Sequence, residues 1–126
     1  MINVAIAGVS GRMGRALQEA VLTASDLRLH AALDRPGSAA LGADAGSLAG
    51  ATSGILVSAD VAASLSGADV LIDFTRPEAT LHHLKVCVEH KVGLVIGTTG
   101  FDDAGKAAIE QAAKSIPIVF APNMSV

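Results

Sequence analysis

Short runs of β-branched and other apolar residues alternate with longer stretches of helical period along the chain. Ile2–Ala7 is apolar on both faces, the pattern of a strand buried between two layers. Gly11–Thr23 then places Met13, Leu17, Ala20 and Val21 at helical spacing, which predicts a helix with those residues inward. Further strands are predicted at Arg28–Leu33, Ile55–Ser58, Asp69–Phe74, Val92–Ile96 and Ile116–Ala121. Helices are predicted near Ala59–Ser66, from Pro77 to about His90, and over Asp102–Ser115. Pro77 suits a first helical position because its φ is already fixed, and acidic residues suit the positive end of a helix dipole.

Strand and helix alternating in this way predict an α/β domain. Its sheet is doubly wound and mostly parallel, with about six strands in the order 3-2-1-4-5-6 and helices on both faces. The stretch Arg35–Gly54 breaks the rhythm. It is rich in Gly, Ala and Ser, and it is long for a connection inside a compact domain. Two readings fit it: a surface excursion across the sheet edge, or a loop that closes beside a bound nucleotide.

Composition narrows the class. A chain of 126 residues with 51% apolar and 17% charged residues fits one folded unit, residues 1–126. The net charge of −3 gives no general pull toward nucleic acid or an anionic membrane. Three Phe, with no Tyr or Trp, make a poor platform for stacking bases. No apolar run approaches the ~20 residues that span a bilayer. Met1 leads into Ile2-Asn3-Val4 with no basic leader, and Cys87 has no second cysteine to pair with. A cytoplasmic location is the expectation.

The strongest local signal is Gly8-Val9-Ser10-Gly11-Arg12-Met13-Gly14, set between the first strand and the first helix. Gly8 suits a tight turn. Gly11 would let backbone approach a pyrophosphate, and Gly14 would let the helix pack closely on the sheet. The free N–H groups of the helix start would face the anion, and Arg12 adds a cation there. The spacing is G-x-x-G-x-x-G, with Ser10 where the common dinucleotide pattern has glycine. The alternative is a tight strand–helix turn with no ligand.

The second strand ends in Asp34-Arg35. An acidic residue at this distance from the first glycine can accept hydrogen bonds from the adenosine ribose hydroxyls of NAD, and an arginine can meet the 2′-phosphate of NADP. Both NADH and NADPH are therefore expected to bind. An exposed ion pair at a strand end is the plainer account of the same two residues.

Ligands of open α/β sheets bind beyond the carboxyl ends of the strands. Three more ends carry polar or glycine-rich residues: Phe74-Thr75-Arg76-Pro77, Gly97-Thr98-Thr99-Gly100-Phe101 and Pro122-Asn123-Met124-Ser125. With Gly8–Gly14 they are expected to form one rim.

These segments, together with Gly42-Ala43-Asp44-Ala45-Gly46 and Asp34-Arg35, resemble the dihydrodipicolinate reductase family over the whole chain. The resemblance implies a Rossmann-like fold. It also implies hydride transfer from NADH or NADPH to a cyclic unsaturated dicarboxylate, giving tetrahydrodipicolinate in lysine and diaminopimelate synthesis. By the same likeness Gly8, Val9, Ser10, Gly11, Arg12 and Met13 hold the pyrophosphate, and Asp34 and Arg35 read the ribose. Phe74, Thr75 and Arg76 join the cofactor wall. Gly97, Thr98 and Thr99 stand at the nicotinamide end, with Thr99 nearest the substrate. Ala121, Pro122, Asn123 and Met124 line the cleft near a hinge, Met124 standing where a close relative would carry Phe. In the family a second domain follows, with a His–His motif, a nearby Lys, a Ser-Gly-Thr turn and the surface that builds a homotetramer. None of those residues is in this sequence. The chain is therefore expected to be the cofactor half of the enzyme, and inactive alone.

Other groups invite different chemistry. His82-His83, with Lys85 nearby, stand on the helix after Pro77, where successive side chains point about 100° apart. They are read as solvated helix histidines. His83, Cys87 and His90 fall at metal-ligand spacing but lack an evident fourth ligand, so no metal is expected. Asp102-Asp103 are read as capping residues. The alternative function is a non-catalytic nucleotide- or CoA-binding module of the same fold. An interaction module is a third reading, resting only on the edge near Ile116–Val126.

Overall fold

The computed structural model describes residues 1–50 and 52–120. One sheet of six parallel strands runs through it in the order β3-β2-β1-β4-β5-β6. The strands are β1 (Ile2–Ala7), β2 (Leu27–Leu33), β3 (Val57–Ser58), β4 (Val70–Asp73), β5 (Gly93–Ile96) and β6 (Ile118–Phe120). The helices are α1 (Arg12–Thr23), α2 (Val61–Leu65), α3 (Pro77–His90) and α4 (Asp103–Ala112), and a short 3-10 helix covers Ala45–Ala49. Both the fold class and the strand order agree with the sequence expectation.

Handedness explains the layering. From β1 the chain winds outward to β2 and β3, then returns to β4 and winds the other way. Right-handed crossovers therefore place the first and later helices on opposite faces. Period-two alternation within the strands supplies both faces. Val4 and Ile6 pack with Leu29, Ala32 and Val57 against Val21 of α1 and Ala45 of the 3-10 helix. Ala5, Ala7, Leu33, Leu71, Leu94 and Ile96 pack against Leu65, Leu84, Cys87 and Ile109 on the other side. The winding reverses between β1 and β4, and the two strands part beyond their carboxyl ends to open a crevice there.

Three expectations need correction. The buried stripe of α1 is Gly14, Gln18 and Val21, whereas Ala20 is exposed. The close approach of Gly14 to the β1 turn rotates the helix so that its i, i+4, i+7 set faces inward. The third strand is two residues long, not four. Ile55 and Leu56 pair instead with the preceding loop, through an Ala45 N–H to Ile55 carbonyl bond of 2.7 Å and an antiparallel Asp44–Leu56 bridge. The last strand starts at Ile118. Ile116 is buried but completes the turn after α4, its N–H bonded to the Ala112 carbonyl at 3.1 Å.

The long connection after β2 is an excursion that returns along the outer edge of β3. Asp44 organises it. Its Oδ1 accepts hydrogen bonds from Gly46 N, Ser53 N and Ser53 Oγ at 2.8, 2.9 and 2.7 Å, and its Oδ2 accepts from Gly54 N at 2.8 Å. These donors, those of Ser53 foremost, hold the carboxyl down to a pKa of about 2.

Candidate functional site

The crevice is a cleft of about 700 Å³ at the carboxyl ends of β1, β2 and β4. Gly8, Ser10 and Gly11 form its floor, Asp34 and Arg35 one wall, and Phe74, Thr75 and Arg76 the other, with the first turns of α3 behind them. The structure thus gathers eight of the predicted cofactor residues around one space. Val9 does not face it but lies fully buried in the core beside α1. Arg12 is exposed and Met13 partly buried at the start of α1, outside the cleft lining. Gly97, Thr98 and Thr99 follow β5 and are likewise outside the lining; Thr99 is exposed. Ala121, Pro122, Asn123 and Met124 lie outside the described residues.

The glycine turn has distinct local causes. Gly8 has φ +83°, a conformation that a side chain strongly disfavours. A Cβ on Gly14 would sit 2.1 Å from the Gly8 carbonyl oxygen and 2.7 Å from Val9 Cα, so α1 can dock only if that position is bare. Gly11 is different. Its φ of −76° suits any residue, and a Cβ there would meet only the Gly8 carbonyl oxygen at 3.4 Å. The folded chain therefore has no steric need for glycine at position 11, and that residue borders the cleft.

Helix ends sharpen the picture. The side chains of Asp60 and Asp102 cap α2 and α4, the latter accepting from Gly105 N at 2.7 Å as the capping reading of Asp102 expected. The N-termini of α1 and α3 have no side-chain cap, and both open on the cleft. Uncapped amides at a helix start carry partial positive charge and suit an anion.

On the facing wall, Asp34 is partly buried and already oriented. Ser38 Oγ donates to its Oδ2 at 2.7 Å, and the Arg35 N–H donates to its Oδ1 at 3.0 Å. Burial alone would raise its pKa. The Ser10 and Ser38 hydroxyls, the Arg35 amide and the Arg35 charge outweigh that and lower it. Ser10, the residue that breaks the usual glycine spacing, thus lines the same cleft as the carboxylate predicted to read ribose and helps to keep it charged. The Arg35 side chain is exposed and, among the described residues, joins no salt bridge, although its charge still helps to lower the Asp34 pKa.

Set into the second wall, with His83 itself among the lining residues, is a polar group that the sequence pattern did not reveal. Asp73 ends β4 and is fully buried, facing α3 as Leu71 does two residues earlier. His83 Nδ1 is 2.7 Å from its Oδ2. Thr75 reaches its Oδ1 through both backbone N–H and hydroxyl, at 2.9 and 2.6 Å. His83 is therefore not a solvated helix histidine: it is 8% exposed, turned inward because an acceptor waits there. His82 remains exposed as expected. The advance signal was an acid near the end of a predicted strand, with a histidine ten residues on.

The remaining candidates are not brought together. Cys87 is fully buried, and burial, aided by the Asp73 charge, pushes its thiol up to about 12. His90 is exposed. Among the described residues no three His, Cys, Asp or Glu side chains are placed to hold a metal ion. Among the same residues no helix is long and apolar enough to cross a membrane.

A parallel sheet with a glycine turn, an uncapped helix start and an acid–arginine pair facing it defines a dinucleotide-binding α/β domain. The profile of the family described as "Dihydrodipicolinate reductase, N-terminus" matches residues 2–124. The chain belongs to that family, the NAD(P)H-binding domain of those reductases. It is 62% identical over 125 residues to the 4-hydroxy-tetrahydrodipicolinate reductase of Cupriavidus pinatubonensis, covering 99% of this chain and 47% of that protein. It is 61% identical to the enzyme of that name from Chromobacterium violaceum, covering 98% of this chain and 46% of that protein. A dipicolinate-bound dihydrodipicolinate reductase from Paenisporosarcina sp. TG-14 superposes with a TM-score of 0.76 at 28% identity, over 98% of this chain and 48% of that one. An amine dehydrogenase from Mycobacterium smegmatis shares the fold with a TM-score of 0.76 at 23% identity, over 94% of this chain and 38% of that one. The chain spans about half the length of the curated relatives it matches.

Proposed function

We propose that this chain binds NADH and NADPH as the cofactor half of a cytoplasmic reductase. On this reading the whole enzyme delivers hydride to a cyclic unsaturated dicarboxylate, giving tetrahydrodipicolinate. The observation that carries the reading is the pairing across one cleft of an uncapped α1 N-terminus with Asp34 and Arg35. The donor set fits a dinucleotide: free amides and an open Gly11 for a pyrophosphate, a carboxylate for a ribose diol, and an unengaged guanidinium for a 2′-phosphate.

Each residue then has a physical task. The first amides of α1 hold the pyrophosphate at the positive end of the helix dipole. Asp34, oriented by Ser38 and the Arg35 amide and kept charged, accepts from the ribose hydroxyls. Arg35 adds affinity only for the phosphorylated cofactor. Thr99 stands at the end of β5, exposed, where the reacting ring and substrate would meet. Hydride donation is the nicotinamide's own chemistry, and the protein supplies position and electrostatics.

Calorimetric titration with both cofactors tests this. Wild type is expected to saturate with each, Asp34→Ala to weaken NADH about tenfold or more, and Arg35→Ala to weaken NADPH selectively by a similar factor, as loss of one charged hydrogen bond predicts. Absence of binding to a folded chain overturns the reading. Displacement of NADH by CoA at comparable concentration would favour a CoA-binding module.

A further inference from the structure

We propose that His83 is a positioning residue for the cofactor cleft. Through the buried Asp73 carboxylate it sets the hydroxyl of Thr75 as a hydrogen-bond acceptor for a hydroxyl or N–H group of the bound dinucleotide. The inference rests on the reading of the cleft as a dinucleotide site.

Donor accounting carries the argument. A carboxylate only accepts, so the proton between Asp73 and His83 sits on His83 Nδ1. The Thr75 hydroxyl is 2.6 Å from Asp73 Oδ1, so its one proton points inward. Thr80 lies 2.8 Å from the Thr98 hydroxyl and 3.3 Å from that of Thr75, so its proton goes to one of these two neighbours. Thr98 in turn reaches the Asp73 carbonyl oxygen at 3.4 Å. All three hydroxyl protons are committed within the protein. Thr80 and Thr98 are buried, whereas Thr75 borders the cleft. What Thr75 Oγ1 can offer a ligand is a lone pair. It can receive a ribose hydroxyl, and it disfavours a phosphate oxygen at the same point.

His83 keeps this arrangement in place. Asp73 has no exposure to water, so its Oδ2 depends on the ring for a partner. Without the ring the carboxylate must turn to find another donor, and the double contact that fixes Thr75 is lost. Because Thr75 Cγ2 also stands 3.1 Å from where a Cβ on Gly8 would lie, the same residue abuts the glycine turn. The pair thus fixes one wall of the cleft against its floor.

The test is titration with NADH of wild type, His83→Leu, His83→Asn, Thr75→Val and the double variant H83L/T75V, with melting of each unliganded chain. His83→Leu and Thr75→Val are each expected to weaken NADH about tenfold, the worth of one positioned hydrogen bond. The double variant should be no weaker than either single, because both break one linkage. His83→Asn, whose amide nitrogen can stand in for Nδ1, should melt lower through its cavity yet bind within about threefold of wild type. Wild-type affinity in Thr75→Val, or additive losses in the double variant, overturns the proposal. So does a tenfold loss in a fully folded His83→Asn. If His83→Leu does not fold, His83→Asn and Thr75→Val decide alone. If wild type itself does not bind NADH, the cofactor reading fails and takes this inference with it.

Discussion

One methyl group added at Gly14 and one at Gly11 should have opposite effects, although the two glycines are three residues apart in a single turn. At position 14 the new Cβ would lie 2.1 Å from the Gly8 carbonyl oxygen, 2.7 Å from Val9 Cα and 2.9 Å from the Gly8 carbonyl carbon. All three are backbone atoms and cannot rotate aside. An ordinary contact needs more than a further ångström, so α1 must lift from β1 along the face that buries Val21 and Gln18. Overpacking of this kind costs about 1–3 kcal/mol and sometimes more, and the better helix propensity of alanine offsets at most ~1 kcal/mol. A net loss of about 1–2 kcal/mol corresponds to a melting temperature lower by roughly 5 °C for a domain of this size.

At position 11 the same methyl meets one atom at 3.4 Å, in a backbone conformation that alanine adopts readily. Stability should change by less than about 1 kcal/mol, the small cost at a helix cap being set against reduced freedom of the unfolded chain. The methyl would occupy the approach to the α1 amides, so NADH affinity should fall about tenfold or more. Chemical denaturation and NADH titration of both variants make the test. A Gly14→Ala chain as stable as wild type would refute the close-packing argument. A Gly11→Ala chain that binds NADH normally would show that the pyrophosphate does not rest on this turn.

Other consequences follow from single contacts. A Cβ on Gly97 would lie 2.0 Å from the Phe74 ring, so Gly97→Ala should drive that ring toward the cleft and weaken NADH; adding Phe74→Leu should recover most of the melting temperature. The folded-state pKa of Asp44, about 2, lies below its unfolded value, so its stabilisation is complete above about pH 4 and is lost as pH falls toward 2. The stability gap between wild type and Asp44→Asn should therefore close over that window; a gap that stays constant to pH 2 contradicts the account. Cys87, buried and with its thiol raised to about 12, should react with a thiol reagent only as fast as the chain opens. Fast labelling under native conditions would mean that the α3 face is looser than its packing indicates.

The layout of the sheet was legible because each strand of a parallel sheet must be apolar on both faces, and each connecting helix must carry an apolar stripe. Those are local properties, visible at Ile2–Ala7 and in the Pro77–His90 span. The glycine turn was legible for the same reason: its demands arise from contacts between Gly8, Val9 and Gly14. Elements shaped by remote partners were harder to read. Nothing near Ile55 and Leu56 says that they pair with residues 44 and 45 instead of extending β3, since that choice depends on Asp44 gathering Gly46, Ser53 and Gly54 around its carboxylate. Ala20 and Gln18 exchange the roles that hydropathy assigns them because α1 is rotated by its contact with Gly8, and the Gln18 amide finds the Val9 and Gly14 carbonyl oxygens at 3.2 and 3.3 Å.

His83 is the most instructive misreading. Helical periodicity asks which residues share a face and assumes that polar ones face water. That assumption fails when a strand presents a buried acceptor to the same helix. Asp73 does so because period two carries it to the side of Leu71, and a charge in that position requires donors. The useful question for the sequence was therefore not whether a histidine on α3 looks amphipathic. It was what must satisfy an aspartate one residue from the end of a predicted strand of a sheet covered by helices on both faces. Asked that way, the polar residues near that strand end become the candidates: Thr75 and His83 donate to the carboxylate, Thr98 reaches the Asp73 backbone carbonyl, and Thr80 links Thr98 to Thr75. A cleft wall built on such a network is stiff by construction, which suits a site whose ligand contributes the chemistry while the protein contributes position.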